Sequence, residues 1–156
     1  MTKAIAIIPA RGGSKRLPRK NIADFMGKPI IAWTIEAAKE SGVFERVVVS
    51  TEDKEIAAIS EQYGADIDQR DPALATDTAR ETDVMLELLS REEKQGTHYD
   101  ITCCLYATAP LRTASDIKAV IGLIEPGTCD FALAATQYDL PPHQALKLGA
   151  ENKVAP

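Results

Sequence analysis

Aromatic residues are scarce in this chain: three Phe, four Tyr and one Trp make up 5% of its 156 residues. Proteins that hold single-stranded nucleic acid stack bases on such rings, and duplex binders carry a basic surface. A net charge of −5 therefore argues, with the missing rings, against nucleic acid as a partner. Long apolar runs are missing too. None approaches the roughly 18 residues of a membrane span, and Lys3 to Pro9 is too short for the core of a signal peptide. No membrane partner is expected. Cysteine is limited to Cys103, Cys104 and Cys129, an odd number with two adjacent in one apparent strand. That pattern is no disulfide framework, and buried reduced thiols in a cytoplasmic protein are the expectation. The two histidines, His98 and His143, stand in no zinc-like spacing and are read as surface or capping groups.

Against this acidic body one stretch is strongly basic. Ala4 to Pro9 (A-I-A-I-I-P) is an apolar run long enough for one buried strand. A turn follows with Gly12 and Gly13 side by side, and Arg11, Lys15, Arg16, Arg19 and Lys20 put five cations within ten residues. A strand running into a glycine-rich cationic loop is how α/β proteins build polyphosphate sites. The glycines let backbone N–H groups turn inward, and the cations neutralise anionic oxygens. The competing reading is a solvated basic loop. Two better-known phosphate loops fail on spacing. Gly12-Gly13-Ser14-Lys15 does not supply G-x-x-x-x-G-K-[ST], and Leu17-Pro18 stands where a dinucleotide fingerprint would open into a helix. Ser14 lacks the elbow pattern of a hydrolase nucleophile.

The remaining chain alternates strands with helices. Pro29 at a first turn starts a helix to about Ser41, stopped by Gly42, with Ile31, Ile35 and Ala38 on one face. Arg46–Ser50 reads as a strand, and Thr51 as the N-cap of a helix ending at Gly64. Ala65–Asp68 is a short strand, followed by a polar segment without periodicity. Thr78 and Glu81 have capping-box spacing and start a helix to about Gln95. Asp100–Tyr106 is nearly continuously apolar, as a central strand would be. Thr113 caps a helix through Ile124, and Asp130–Thr136 is a further strand. Gln144–Leu148 reads as a strand and Gly149–Lys153 as a turn. This order implies an α/β fold, Rossmann-like, with three α/β/α layers around a mostly parallel sheet. The whole of 1–156 is expected to be one domain, ending on half a hairpin as if cut short at its C-terminus.

These residues also carry a family resemblance. A-R-G-G-S-K-R-L-P-R-K-N (Ala10 to Asn21) resembles the signature loop of the sugar-nucleotide cytidylyltransferases that activate nine-carbon 2-keto acid sugars with CTP. Four further blocks follow in the same order: Gly27–Ala38, Val47–Asp53, Arg70–Thr78 and Tyr106–Arg112. Cys103–Pro110 and Pro141–Leu148 look more like the pseudaminic acid enzymes than the acylneuraminate ones.

The resemblance implies the nucleotide-diphospho-sugar transferase type of fold and a definite reaction. The sugar's anomeric hydroxyl attacks the α-phosphate of CTP, pyrophosphate leaves and a CMP-sugar forms. Arg11 and Lys20 would have the catalytic part, since such transfer needs positioning and charge neutralisation more than covalent help. Ala10, Arg11, Gly12, Gly13, Ser14, Lys15, Lys20, Asn21, Arg70 and Ala79 would bind the nucleotide. For Arg16 and Arg19 a solvated role stands at least equal to a phosphate contact. Arg70 has a rival role in a salt bridge to Asp71 or Asp77, and the latter is also expected to cap the polar segment. Tyr106 would face the sugar or sit in the core. Glu81 falls where the family often has a serine for the nucleotide, with Thr82 one residue later, so the base contact there stays open. Mg²⁺ is the implied cofactor, with its ligands expected beyond Pro156, as is much of a homodimer interface. The alternatives are the same reaction on N-acetylneuraminic, legionaminic or octulosonic acid, and a nucleotide-binding module without catalysis.

Overall fold

In the computed structural model of the chain, residues 2–15, 17–76, 78–125, 127–135, 147–148 and 154–155 are described. They fall into two compact units, Met1–Gly122 and Leu123–Pro156. Arg16, Asp77 and His143 lie outside the described residues, as does the expected turn over 149–153.

The first unit is built around β1 (Ala4–Pro9). It pairs in parallel with β4 (Arg46–Thr51) on one side and with β6 (Ile101–Cys104) on the other. Outside β4, also parallel, lies β5 (Asp66–Gln69), giving the order β5-β4-β1-β6. Alternation along β1 decides its packing, because successive side chains point to opposite faces. Ala6 and Ile8 join Val47 and Val49 beneath α1 (Ile30–Ser41), α2 (Lys54–Gln62) and α4 (Ala114–Ile121). Ile5 and Ile7 join Val48 and Tyr99 beneath Leu88 of α3 (Glu81–Lys94). Both faces are covered, and the layers are α/β/α in a Rossmann-like arrangement. Complete burial of Ile5, Ile7 and Ile8 contributes roughly 1.5–3 kcal/mol each.

Several boundaries differ from the sequence-based expectation. Pro29 precedes α1 instead of occupying its first turn, because it also ends a short antiparallel hairpin of β2 (Asp24–Phe25) and β3 (Lys28–Pro29). The hairpin turns on Met26 and Gly27 at φ 53° and 87°, both left-handed as a two-residue I′ turn requires. It is pinned to α1 by Trp33, whose indole N–H donates to Phe25 O at 2.9 Å. The cap of α2 is Asp53, whose carboxylate accepts from Glu55 N and Ile56 N at 3.0 Å each. Thr51 belongs to β4, and its hydroxyl accepts from Asp53 N at 3.1 Å.

Thr78 does not cap α3. The helix starts at Glu81, and Asp83 Oδ2 accepts from Arg80 N at 3.2 Å. The expected central strand, Asp100–Tyr106, is shorter and forms an edge of the sheet among the described residues, with all four of its residues half-buried. The thiols of Cys103, Cys104 and Cys129 are unpaired and half-buried, not fully enclosed. Burial pushes the Cys104 thiol up to about 11. Thr113 caps α4 as expected, but the helix ends at Ile121.

In the second unit no strand forms at 130–135, and Glu125 instead bridges Cys129. Thr136 lies outside the described residues. β7 (Lys147–Leu148) pairs antiparallel with β8 (Val154–Ala155). No described helix is long and apolar enough to cross a membrane.

Candidate active site

At the C-terminal ends of the parallel strands the chain leaves β1, β4, β5 and β6 in loops, and a cleft opens there. Pro9, Arg11, Ser14, Lys20 and Asn21 form one wall. Arg70, Leu74, Thr76, Ala79, Arg80, Glu81 and Val84 form another, and Tyr106, Ala107 and Thr108 close the end beyond β6. Open parallel sheets hold their ligands in this place.

The cationic loop is folded against the start of α2. Ala10, fully buried, donates its N–H to Ser50 O at 3.0 Å. Gly12 donates its N–H to Glu52 Oε1 at 2.8 Å, and Ser14 donates to Gly12 O at 2.9 Å. Arg19, in a left-handed conformation at φ 57°, spans Asp53 with contacts of 2.5 and 3.1 Å and also pairs with Glu55. It is a latch on the loop, not the solvated cation that one reading of the sequence implies. Asn21, only 6% exposed, donates from Nδ2 to Arg11 O at 2.9 Å and so closes the loop on itself.

Arg70 is 4% exposed and yet lines the cleft. It makes no hydrogen bond to Asp71. Its Nε donates to Ser50 Oγ at 3.3 Å and its Nη2 to Ser50 O at 2.6 Å. Burial lowers its guanidinium pKa from the ordinary arginine value, an effect that the charges of Glu52 and Asp68 oppose. Guanidinium remains protonated at any ordinary pH, so a permanent cation is buried beside the cleft.

Tyr106 is 55% exposed and is no core tyrosine. Its carbonyl accepts from Thr34 Oγ1 of α1 at 3.2 Å and from Arg112 Nη2 at 3.3 Å. The carboxylate of Glu81 pushes the phenol above its ordinary range. Glu81 and Tyr106 both line the cleft.

Of the residues expected to bind, the cleft gathers Arg11, Ser14, Lys20, Asn21, Arg70, Ala79 and Tyr106. Ala10, Gly12, Gly13 and Lys15 are not on its wall. Sequence reasoning passed over Thr76, Arg80 and Thr108, which sit in stretches without periodicity. Among the described residues no group of three His, Cys, Asp or Glu could hold a metal ion, and Glu81 is the only carboxylate on the described wall.

A family model described as cytidylyltransferase matches residues 5–139. The chain belongs to the cytidylyltransferase family. Over 153 residues it is 43% identical to a pseudaminic acid cytidylyltransferase of Campylobacter jejuni, covering 97% of this chain and 66% of that protein. It is 42% identical to an N-acylneuraminate cytidylyltransferase of Escherichia coli over 124 residues, 80% of this chain and 29% of that protein. A solved structure of CMP:2-keto-3-deoxy-manno-octonic acid synthetase complexed with CTP superposes with a TM-score of 0.67 at 27% identity. That match covers 78% of this chain and 46% of that one. The chain thus spans, at most, just under two thirds of the length of these family members.

Proposed function

We propose that the protein is a CTP-dependent cytidylyltransferase acting on a nine-carbon 2-keto acid sugar, with pseudaminic acid favoured. The observation that carries the reading is the convergence of Arg11, Ser14, Lys20, Asn21 and Arg70 on one cleft at the ends of the parallel strands. The similarity to a Campylobacter jejuni pseudaminic acid cytidylyltransferase supports the choice of sugar.

In this reading Arg11 and Lys20 neutralise the triphosphate, Arg11 as a planar fork and Lys20 as a mobile point charge. Ser14 contributes a hydroxyl to a phosphate oxygen, and Ala10, Gly12, Gly13 and Lys15 support the loop that presents it. Asn21, Arg70 and Ala79 hold the cytidine, and Tyr106 meets the sugar. The anomeric oxygen forms a bond to the α-phosphorus while the bond from that phosphorus to the bridging oxygen breaks. Pyrophosphate carries away the bonding pair, and the hydroxyl proton passes to water. Charge stabilisation at the phosphorus is the main catalytic term in such a transfer.

Mg²⁺ belongs to the same reading, and when bound it would offset charge on the phosphates. The described residues do not fit such an ion, with only Glu81 as a carboxylate on the wall. A homodimer and a cytoplasmic location complete the proposal.

The test is pyrophosphate release from CTP in the presence of pseudaminic, legionaminic, N-acetylneuraminic or octulosonic acid. Release with pseudaminic acid at the highest kcat/KM is expected. A higher value with another sugar would replace the substrate but keep the reaction. CTP binding with no release for any of the four would make the protein a nucleotide-binding module.

A further inference from the structure

Arg70 owes its place on the cleft wall to residues that do not reach the cleft. Ser50, fully buried on β4, offers it two acceptors, Oγ for Nε and the backbone carbonyl for Nη2. The Ser50 hydroxyl can accept from Arg70 in this geometry because its own proton goes elsewhere, to Asp68 Oδ2 at 2.6 Å. Asp68, on the neighbouring strand β5 and 7% exposed, is held in turn by Arg91 of α3 through its other oxygen. Arg91 also meets Glu87 at 2.6 Å, one helical turn earlier. The chain of contacts therefore runs from the outer face of α3 through two strands to the guanidinium at the cleft.

We propose that Asp68, acting through the Ser50 hydroxyl, is a positioning residue that fixes the plane of the Arg70 guanidinium for nucleotide binding. The inference rests on the nucleotide reading of the cleft given above. A hydroxyl rotor points its proton at the strongest acceptor nearby, and a buried carboxylate is a stronger acceptor than any neutral group. With the proton committed to Asp68, the Ser50 oxygen turns its lone pairs to Arg70. Without the carboxylate the rotor is no longer fixed, and the guanidinium keeps only its bond to the Ser50 carbonyl. An arginine with five fixed donors binds a planar or forked acceptor well only when its plane is set. Asp68 thus acts on ligand affinity at a distance and touches no substrate.

The experiment is a double-mutant cycle on CTP affinity by calorimetry, using the purified protein. Ser50→Ala is expected to raise the Kd for CTP about five- to twentyfold, less than the loss of a whole charge-assisted hydrogen bond to the ligand, because the guanidinium stays and only its plane is released. In an Arg70→Lys background, which has no fork to orient, the same change should move the Kd less than about twofold. Asp68→Asn keeps the side chain's volume and should raise Kd in the same direction, with the same dependence on Arg70. It serves as the probe if Ser50→Ala does not fold. A purely structural role would lower the unfolding temperature and leave the coupling to Arg70 at zero. Equal losses in both backgrounds, or no loss in either, overturn the relay while the nucleotide reading stands. Failure of the unmodified protein to bind CTP removes both.

Discussion

Gly12 and Glu52 are joined by a hydrogen bond of 2.8 Å from the glycine N–H to Glu52 Oε1. An N–H of the cationic loop is thus paired with a carboxylate of the protein itself, at the turn between β4 and α2. The other oxygen of Glu52 is buried, with no hydrogen-bond partner among the described residues. Glu52→Ala removes the acceptor, and the protein should lose about 1–2 kcal/mol of unfolding free energy in urea. Glu52→Gln keeps an acceptor for Gly12 and should lose less. Equal losses for the two variants would mean that the hydrogen bond does not hold the loop.

The two glycines of the loop are not equivalent. A Cβ on Gly12 would lie 2.9 Å from Asp53 Cβ and closer still to Oδ2, whereas a Cβ on Gly13 would meet none of the described residues within 4 Å. Gly12→Ala must therefore push the loop away from Asp53, at a cost of about 1–3 kcal/mol. Gly13→Ala should fall within about 0.5 kcal/mol of the parent, since no packing opposes it. Thermal unfolding of the pair tests the difference. Similar melting points would show that the loop does not pack on Asp53 in solution.

Asp53 gives the latch a pH dependence of known sign. The hydrogen bond from Arg19 lowers the Asp53 pKa below its ordinary 3.8, helped by the helix N–H groups of Ile56 and Glu55. A carboxyl whose folded pKa is depressed stabilises the fold above its unfolded value, and that stability is lost as pH falls through the folded one. The loss is expected below about pH 4. Asp53→Asn can still cap α2 but cannot titrate, so its stability should decline less between pH 5 and pH 2. Parallel acid limbs for parent and variant would remove Arg19–Asp53 as a contributor.

The framework of the fold was legible where one signal dominated. Ala4–Pro9 and Arg46–Ser50 each carry an apolar run, and Ile31, Ile35 and Ala38 mark one helix face. Ala4 to Ile8, Val47 to Val49 and the three helix residues are all buried in the structure. Capping was misread because several candidates compete within a few residues. Thr51 and Asp53 can both cap, and the carboxylate that reaches two N–H groups prevails. Thr78 instead shares a hydrogen bond of 3.2 Å with Thr76. At the site, Arg11 to Asn21 could be seen as one loop because its residues are consecutive. The support beneath Arg70 could not. Ser50, Asp68 and Arg91 are brought together only by the pairing of β4 with β5 and the packing of α3.

Arg11 offers the most direct test of the cleft. It lines the wall beside Ser14, Lys20 and Arg70, so a triphosphate seated there would meet its fork. Arg11→Ala should weaken CTP binding by about 1.5–3 kcal/mol, the worth of a charge-assisted hydrogen bond to phosphate. Arg11→Lys keeps the charge but loses the bidentate geometry, and should recover only part of that. Raising salt should shrink the gap between parent and Arg11→Ala, because screening weakens the contribution of an accessible charge. Titration of CTP at two ionic strengths reads all three quantities. An affinity that Arg11→Ala leaves unchanged would move the triphosphate off this loop. The cleft would then have to present its anion site through Arg70 and Arg80 instead.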